Sequence, residues 1–157
     1  MRFGIKSLAL IAATTLMAPM AFADSHLGEG DPEKGEKTWK KCKACHKIGE
    51  GAKHSTGPML NDVIGRTAGA AEGYKFGKDL IAAGEAGLVW DAALIADYVE
   101  NPKKFLQAYL DDSGAKSKMS LKVKKEADRL NVAAYVATFS EAPVVEETEE
   151  TEDATSD

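Results

Sequence analysis

Only two cysteines occur in 157 residues, which excludes a fold stapled by several disulfides and a zinc site built on four thiolates. No convincing strand-like alternation of apolar and polar residues marks the chain, and no segment repeats, so neither a sheet domain nor a repeat array is expected. Long apolar runs are also missing: the longest, Leu8 to Met17, falls short of the ~20 residues that span a bilayer, and Pro19 interrupts the chain just beyond it. That run lies between Arg2 and Lys6 on one side and Ala21-Phe22-Ala23 on the other. A basic start, an apolar middle and small residues at both positions a signal peptidase reads make residues 1–23 a secretory signal peptide, cleaved near Ala23. At the other end the bases are absent. Residues 141–157 hold eight acids, no Lys or Arg and few large apolar groups, the composition of a disordered acidic tail.

Between these ends, residues 24–140 are expected to form one domain. They carry 18 Lys and Arg against 17 Asp and Glu, so the formal charge of -5 belongs to the tail and the domain is close to neutral. Its electrostatic field must come from where the charges sit. Asp31 can cap a helix that Pro32 opens and that runs into the cysteine motif, with Gly35, Trp39 and Cys42 recurring on one side of it. Leu60 to Ile64 reads as a single helical turn within a Gly-rich loop region, and a short helix is expected at Lys78 to Ala83. A firmer one starts at the Asp91 cap, turns Leu94, Ile95, Tyr98 and Val99 inward and stops at Asn101-Pro102, where Pro102 opens another through Tyr109. Val123 to Phe139 is the terminal helix, with Ala127, Leu130, Ala134 and Tyr135 inward. The domain reads as all-α, with loops long enough to wrap something large and apolar.

Both cysteines lie in Cys42-Lys43-Ala44-Cys45-His46, the C-x-x-C-H pattern of covalent haem attachment. One helical turn between two thiols lets them add across the two vinyl groups of a haem, and the next residue offers an imidazole to the iron. A thioredoxin-like pair would want a βαβ context and leaves His46 without a role; a zinc site would lack its fourth ligand. An electron carrier of high potential takes a thioether as its second axial ligand. After the signal segment only Met59 and Met119 can supply one. Met59 follows His46 closely in a Gly57-Pro58 loop, whereas Met119 is far enough along the chain to approach from the opposite face. His54, in a Gly/Lys/Ser loop, and His26, near the mature start, are expected to be exposed bystanders.

The chain resembles the class I c-type cytochromes, most closely the bacterial cytochrome c2 type, from about Gly30 to Phe139. The resemblance rests on GDPEKGEKTWKKCKACH, then TGPML, GR, GYKF, LVW, YVENPKKF, KSKM and AAYV, in that order. It implies a small single-domain cytochrome c fold, helices and loops wrapped around one covalently bound haem c, with His46 and Met119 on the iron. It further implies that Pro58 O accepts a hydrogen bond from the His46 ring, that Arg66, Tyr74 and Trp90 lie at the haem propionates, and that Tyr98 stands beside the Met119 sulfur. The first and last helices would cross where Gly35 and Trp39 meet Val132 and Tyr135. Two positions depart from the pattern: Met59 stands where Asn is common, and Phe76 where a second Tyr is frequent.

With both axial positions filled by protein, the chain is expected to be a periplasmic electron carrier and not an enzyme. The resemblance implies transfer from a quinol-oxidising cytochrome bc complex to a terminal oxidase or a photosynthetic reaction centre. The rival is a haem enzyme or gas sensor whose sixth ligand is displaceable. Lys41, Lys43 and Lys47 flank the attachment motif, and Lys103, Lys104, Lys116, Lys118 and Lys122 flank the Met119 side. They are expected to form a positive docking ring around the haem edge of a monomer, for membrane redox complexes and not for nucleic acid.

Overall fold

The structure, a computed structural model, describes residues 30–141. The expected signal peptide with its cleavage near Ala23, His26 and all of the acidic tail but Glu141 lie outside these residues. Five helices follow in order: α1 Pro32–Trp39, α2 Lys78–Glu85, α3 Ala92–Glu100, α4 Pro102–Tyr109 and α5 Glu126–Ala137. Extended pairing among the described residues is limited to one isolated antiparallel bridge, Thr67 with Val89.

Three helices begin where local chemistry dictates. Asp31 accepts from Lys34 N at 3.1 Å and Asp91 from Leu94 N at 2.6 Å, each satisfying one of the N–H groups that a first helical turn leaves unpaired. Asn101 both ends α3 and caps α4, its side chain accepting from Lys104 N, with Pro102 opening α4. α1 is shorter than a helix running into the cysteine motif. Beyond Trp39 the chain continues as successive turns, with Cys42 N donating to Trp39 O and His46 N to Cys42 O.

α5 packs against both α1 and α3. Two glycines let α1 approach it closely: a Cβ at Gly30 would strike the Leu130 carbonyl, and one at Gly35 would strike the Asn131 carbonyl and the Tyr135 side chain. Trp39 and Tyr135 pack beyond them, tilted by 44° with ring centroids 6.0 Å apart, and Asp31 N donates to Asn131 Oδ1 at 2.8 Å. On the other flank Ala92, Ala96 and Ala133 form a layer of small buried residues. The main core, with Leu88, Leu106, Val123, Val132 and Val136, lies between these helices and the loops.

Two local expectations change. Leu60 to Ile64 is not a helical turn but a pair of tight turns, with Asp62 at φ 53°. Asp62 N and Ile64 N donate to Phe139 O and Ser140 Oγ instead, so partners distant in sequence take the donors a helix would use internally. The terminal helix begins three residues later than expected, because Val123 N bridges to Val99 O at 2.8 Å. Ala127 is exposed: it sits in the first turn of α5, ahead of Leu130 and Asn131, where Gly30 and Gly35 come close.

Glycine inside a helix ordinarily costs about 0.5–1 kcal/mol relative to alanine, so Gly35→Ala would stabilise α1 if the crossing were loose. Because the new methyl meets a backbone carbonyl, the substitution should instead destabilise the domain by about 1–3 kcal/mol, as overpacking does. Guanidinium denaturation measures this; an unchanged or raised midpoint would mean that the helices do not touch there.

Candidate functional site

The turns after α1 bring Cys42, Cys45 and His46 to one wall of a cavity of about 600 Å³. Cys42 is buried and Cys45 exposed. Burial pushes the Cys42 thiol up to about 11, with the Lys41 ammonium pulling the other way. Reactive redox cysteines need a lowered pKa, so Cys42 is not poised as a thioredoxin-like nucleophile. The described residues also hold no group of three His, Cys, Asp or Glu that could bind a metal ion together.

His46 is fixed from two sides. Its Nδ1 lies 2.7 Å from Pro58 O; a carbonyl can only accept, so Nδ1 carries the proton and Nε2 keeps its lone pair. Gly57 covers the ring: a Cβ there would come within 2.5 Å of Cε1. Burial lowers the His46 pKa, opposed by the bond to Pro58, so the ring is held in the neutral form that binds metals. The Gly57-Pro58 turn is itself anchored, with Gly57 N donating to Cys45 O at 2.8 Å.

His54 is half-buried rather than an exposed bystander. It accepts from Met59 N on Nδ1 at 3.0 Å, which leaves the proton on Nε2 to donate to Glu72 O at 2.8 Å. The ring thus ties the loop behind His46 to the loop that carries Tyr74. Sequence spacing contains no sign of this, since the partners are backbone atoms of distant residues.

The opposite part of the site is the loop between α4 and α5. Ser117 Oγ pairs with Tyr98 OH at 2.9 Å and accepts from Met119 N at 3.1 Å, so Tyr98 on α3 reaches the Met119 backbone through one hydroxyl. The buried Asp79 carboxylate, at the start of α2, accepts from Lys116 N at 3.0 Å. Lys118 Nζ donates to Lys75 O at 2.7 Å. Neither Ser117 nor Asp79 stands out in the sequence.

All nine residues singled out from the sequence, Cys42, Cys45, His46, Pro58, Arg66, Tyr74, Trp90, Tyr98 and Met119, line this one cavity, whereas Met59 is not among its lining residues. Arg66 is committed in part, donating to Asn61 O and Met59 O at 3.2 and 3.3 Å, but a guanidinium has further donors to offer. Tyr74 donates its only hydroxyl proton to Thr56 O at 2.6 Å, so in this arrangement it presents acceptor lone pairs and not a donor. Trp90 packs edge-on to Tyr98, with ring centroids 5.2 Å apart.

These side chains fit a haem. The volume lies within the ~300–1,000 Å³ of small-molecule and cofactor sites, the walls include Leu60, Val63, Leu80, Ile95 and Val99, and the donors are one neutral imidazole, one thioether and two thiols. No protein-family profile matches the chain. It is 48% identical over 141 residues to cytochrome c-551 of Roseobacter denitrificans, an alignment covering 86% of this chain and 96% of that protein. With cytochrome c2 of Cereibacter sphaeroides it shares 40% identity over 151 residues, covering 91% of this chain and all of the relative.

The chain belongs to the cytochrome c2 family.

A solved structure of cytochrome c2 from Rhodospirillum centenum superposes with a TM-score of 0.68 at 42% identity, covering 71% of this chain and 100% of that one. Cytochromes c2 are class I c-type cytochromes with one covalently attached haem c, and that haem is the cofactor of this chain. The helical single-domain fold is the family's fold, and soluble one-electron carriage is the family's role.

Gly57→Ala should displace the His46 ring, because the added methyl and the imidazole cannot share the space. We expect a lower thermal midpoint together with a weakened Nδ1-to-Pro58 hydrogen bond, read from the Nδ1 proton by NMR. An unshifted Nδ1 proton would show that Gly57 does not buttress the ring.

Proposed function

We propose that Cys42 and Cys45 hold the haem through thioethers, that His46 Nε2 and Met119 Sδ bind its iron, and that the chain is a periplasmic electron carrier. Bound there, the haem supplies a one-electron iron couple. The observation that carries this reading is the convergence of a tautomer-fixed imidazole and a thioether on one enclosed cavity. With the imidazole and the thioether both holding the iron, no position would be left for substrate, which favours carriage over catalysis. The secretory signal at residues 1–23 supports the periplasm, and no described helix is long and apolar enough to cross a membrane. The domain spans 24–140, and a quinol-oxidising cytochrome bc complex is the donor and a terminal oxidase or photosynthetic reaction centre the acceptor.

Each residue has a defined role. Pro58 keeps the His46 proton on Nδ1 and strengthens Nε2 as a donor. Ser117 and Asp79 hold the Met119 loop through the N–H groups of Met119 and Lys116, which would keep the thioether in place. Arg66 and Trp90 would hold the haem propionates, where the guanidinium would offset the cost of burying a carboxylate; Tyr74, its hydroxyl proton given to Thr56 O, would have to release that bond to join them. Replacing Met119 by Ala should lower the midpoint potential by roughly 0.1 V or more, given an axial-ligand range of about 0.8 V. Met59→Ala should shift it far less. Redox titration decides; the reverse ranking, or carbon monoxide binding by the unaltered protein at neutral pH, would favour the displaceable-ligand reading.

Docking uses the lysines at the cavity mouth. Lys41, Lys116 and Lys118 line the cavity and are exposed, and Lys43 and Lys47 are adjacent in sequence. Lys104 and Lys122 instead line a separate groove that also contains Asp97 and Glu100, so the acids there oppose them. Lys118→Glu should therefore slow electron transfer to an acidic membrane complex more than Lys104→Glu. Both effects should fade as the Debye length shrinks from about 10 Å at 0.1 M to about 3 Å at 1 M. Stopped-flow kinetics across a salt series measures this; rates indifferent to salt and to Lys118 would place docking elsewhere.

A further inference from the structure

The lysines beside the haem motif and on the Met119 loop keep their charge. Among the described residues, ion pairs engage Lys34, Lys41, Lys78 and Arg129, Lys41 meeting Asp128 at 3.5 Å. Lys43, Lys47, Lys116 and Lys118 have no carboxylate within that reach among the described residues. Two of them are nonetheless held in place: Lys47 Nζ donates to Lys43 O at 3.0 Å and Lys118 Nζ to Lys75 O at 2.7 Å. A carbonyl orients an ammonium without neutralising it, so Lys47 and Lys118 are positioned while still free to attract anions.

The chain leaves the domain close to this surface. Phe139 O accepts from Asp62 N and Ser140 Oγ from Ile64 N. The same loop is tied back towards the haem motif, with Leu60 N donating to Lys47 O and the Asn61 side chain bonded both ways to Gly49. Glu141 therefore departs from the loop that is bonded to Lys47. Five residues further on, within about 18 Å by contour length, begins Glu146 to Asp153, six carboxylates in eight residues with no cation.

We infer that the acidic segment Glu146–Asp153 is an intramolecular ligand of the lysines beside the haem motif, centred on Lys43 and Lys47, and competes there with the acidic redox partner. The inference rests on the lysine-docking reading above for its consequence, but not for the contact itself. Tethering supplies a local concentration that a free anion lacks, while each exposed pair is individually weak and screened by salt. The outcome is a self-releasing cover: it suppresses encounters with weakly acidic surfaces and yields to a partner presenting more carboxylates in a fixed array.

The test treats the full-length holoprotein with a water-soluble carbodiimide at low ionic strength. The reagent takes up the water lost as a carboxylate and a lysine amine form an amide, and peptide mass mapping of the monomer locates the links. Links from Glu146–Asp153 concentrated on Lys43, Lys47, Lys116 and Lys118, and lost at high salt, are expected. An absence of links, or links spread equally over Lys34, Lys53 and Lys78, overturns the inference. Removing residues 142–157 should also raise the rate of oxidation by ferricyanide about two- to fivefold at low salt, within the range open to electrostatic steering; an unchanged rate counts against the cover. Links present while Lys118→Glu leaves the membrane-complex reaction untouched would overturn the docking reading and keep the contact. Links absent while that variant slows the reaction would do the opposite.

Discussion

The bond from His46 Nδ1 to the Pro58 carbonyl, 2.7 Å long, settles the chemistry of this domain. It decides which ring nitrogen is protonated, and so which one is free to face the cavity. Gly57 makes the bond possible, because any side chain there would lie in the ring's place. The turn carrying Gly57 and Pro58 is held in turn by Cys45 O and, through Met59 N, by His54. The imidazole is thus oriented by a small network of backbone and ring contacts whose only ionisable members are the two histidines.

The helices serve that geometry from outside. α1 and α5 cross at Gly35 and α3 meets α5 on alanine, so three helices come close at those points. Their larger groups, Trp39, Val132 and Val136, turn to the cavity instead. In so small a domain a covalently held cofactor adds much to a limited core. α2 contributes differently: its buried Asp79 fastens the backbone of the Met119 loop, linking a helix remote in sequence to the position of the thioether.

Much of this was legible in the sequence because it is local. The C-x-x-C-H spacing, the Asp31 and Asp91 caps and the shared Asn101-Pro102 boundary depend on neighbours a few residues away, and each occurs where local chemistry puts it. The failures are tertiary. Leu60 to Ile64 gives up helical bonding to the chain end, Ala127 lies ahead of the helix crossing, and His54 finds partners that no spacing reveals. Lysine positions show the same limit: Lys104 and Lys118 look alike along the chain, yet one shares a groove with two acids and the other borders the cavity. Ser117 and Asp79 escape notice because a hydroxyl in a loop and an acid at a helix start are ordinary residues until their partners are known.

Every role assigned to these side chains depends on the haem being bonded to the turn after α1, and peptide mass mapping after acidic organic extraction tests that directly. Protein exported with its haem-attachment machinery should yield a peptide containing Cys42 to His46 that bears the whole haem mass, with neither thiol available to alkylation. Haem passing into the organic phase, with Cys42 and Cys45 both alkylated, would contradict it.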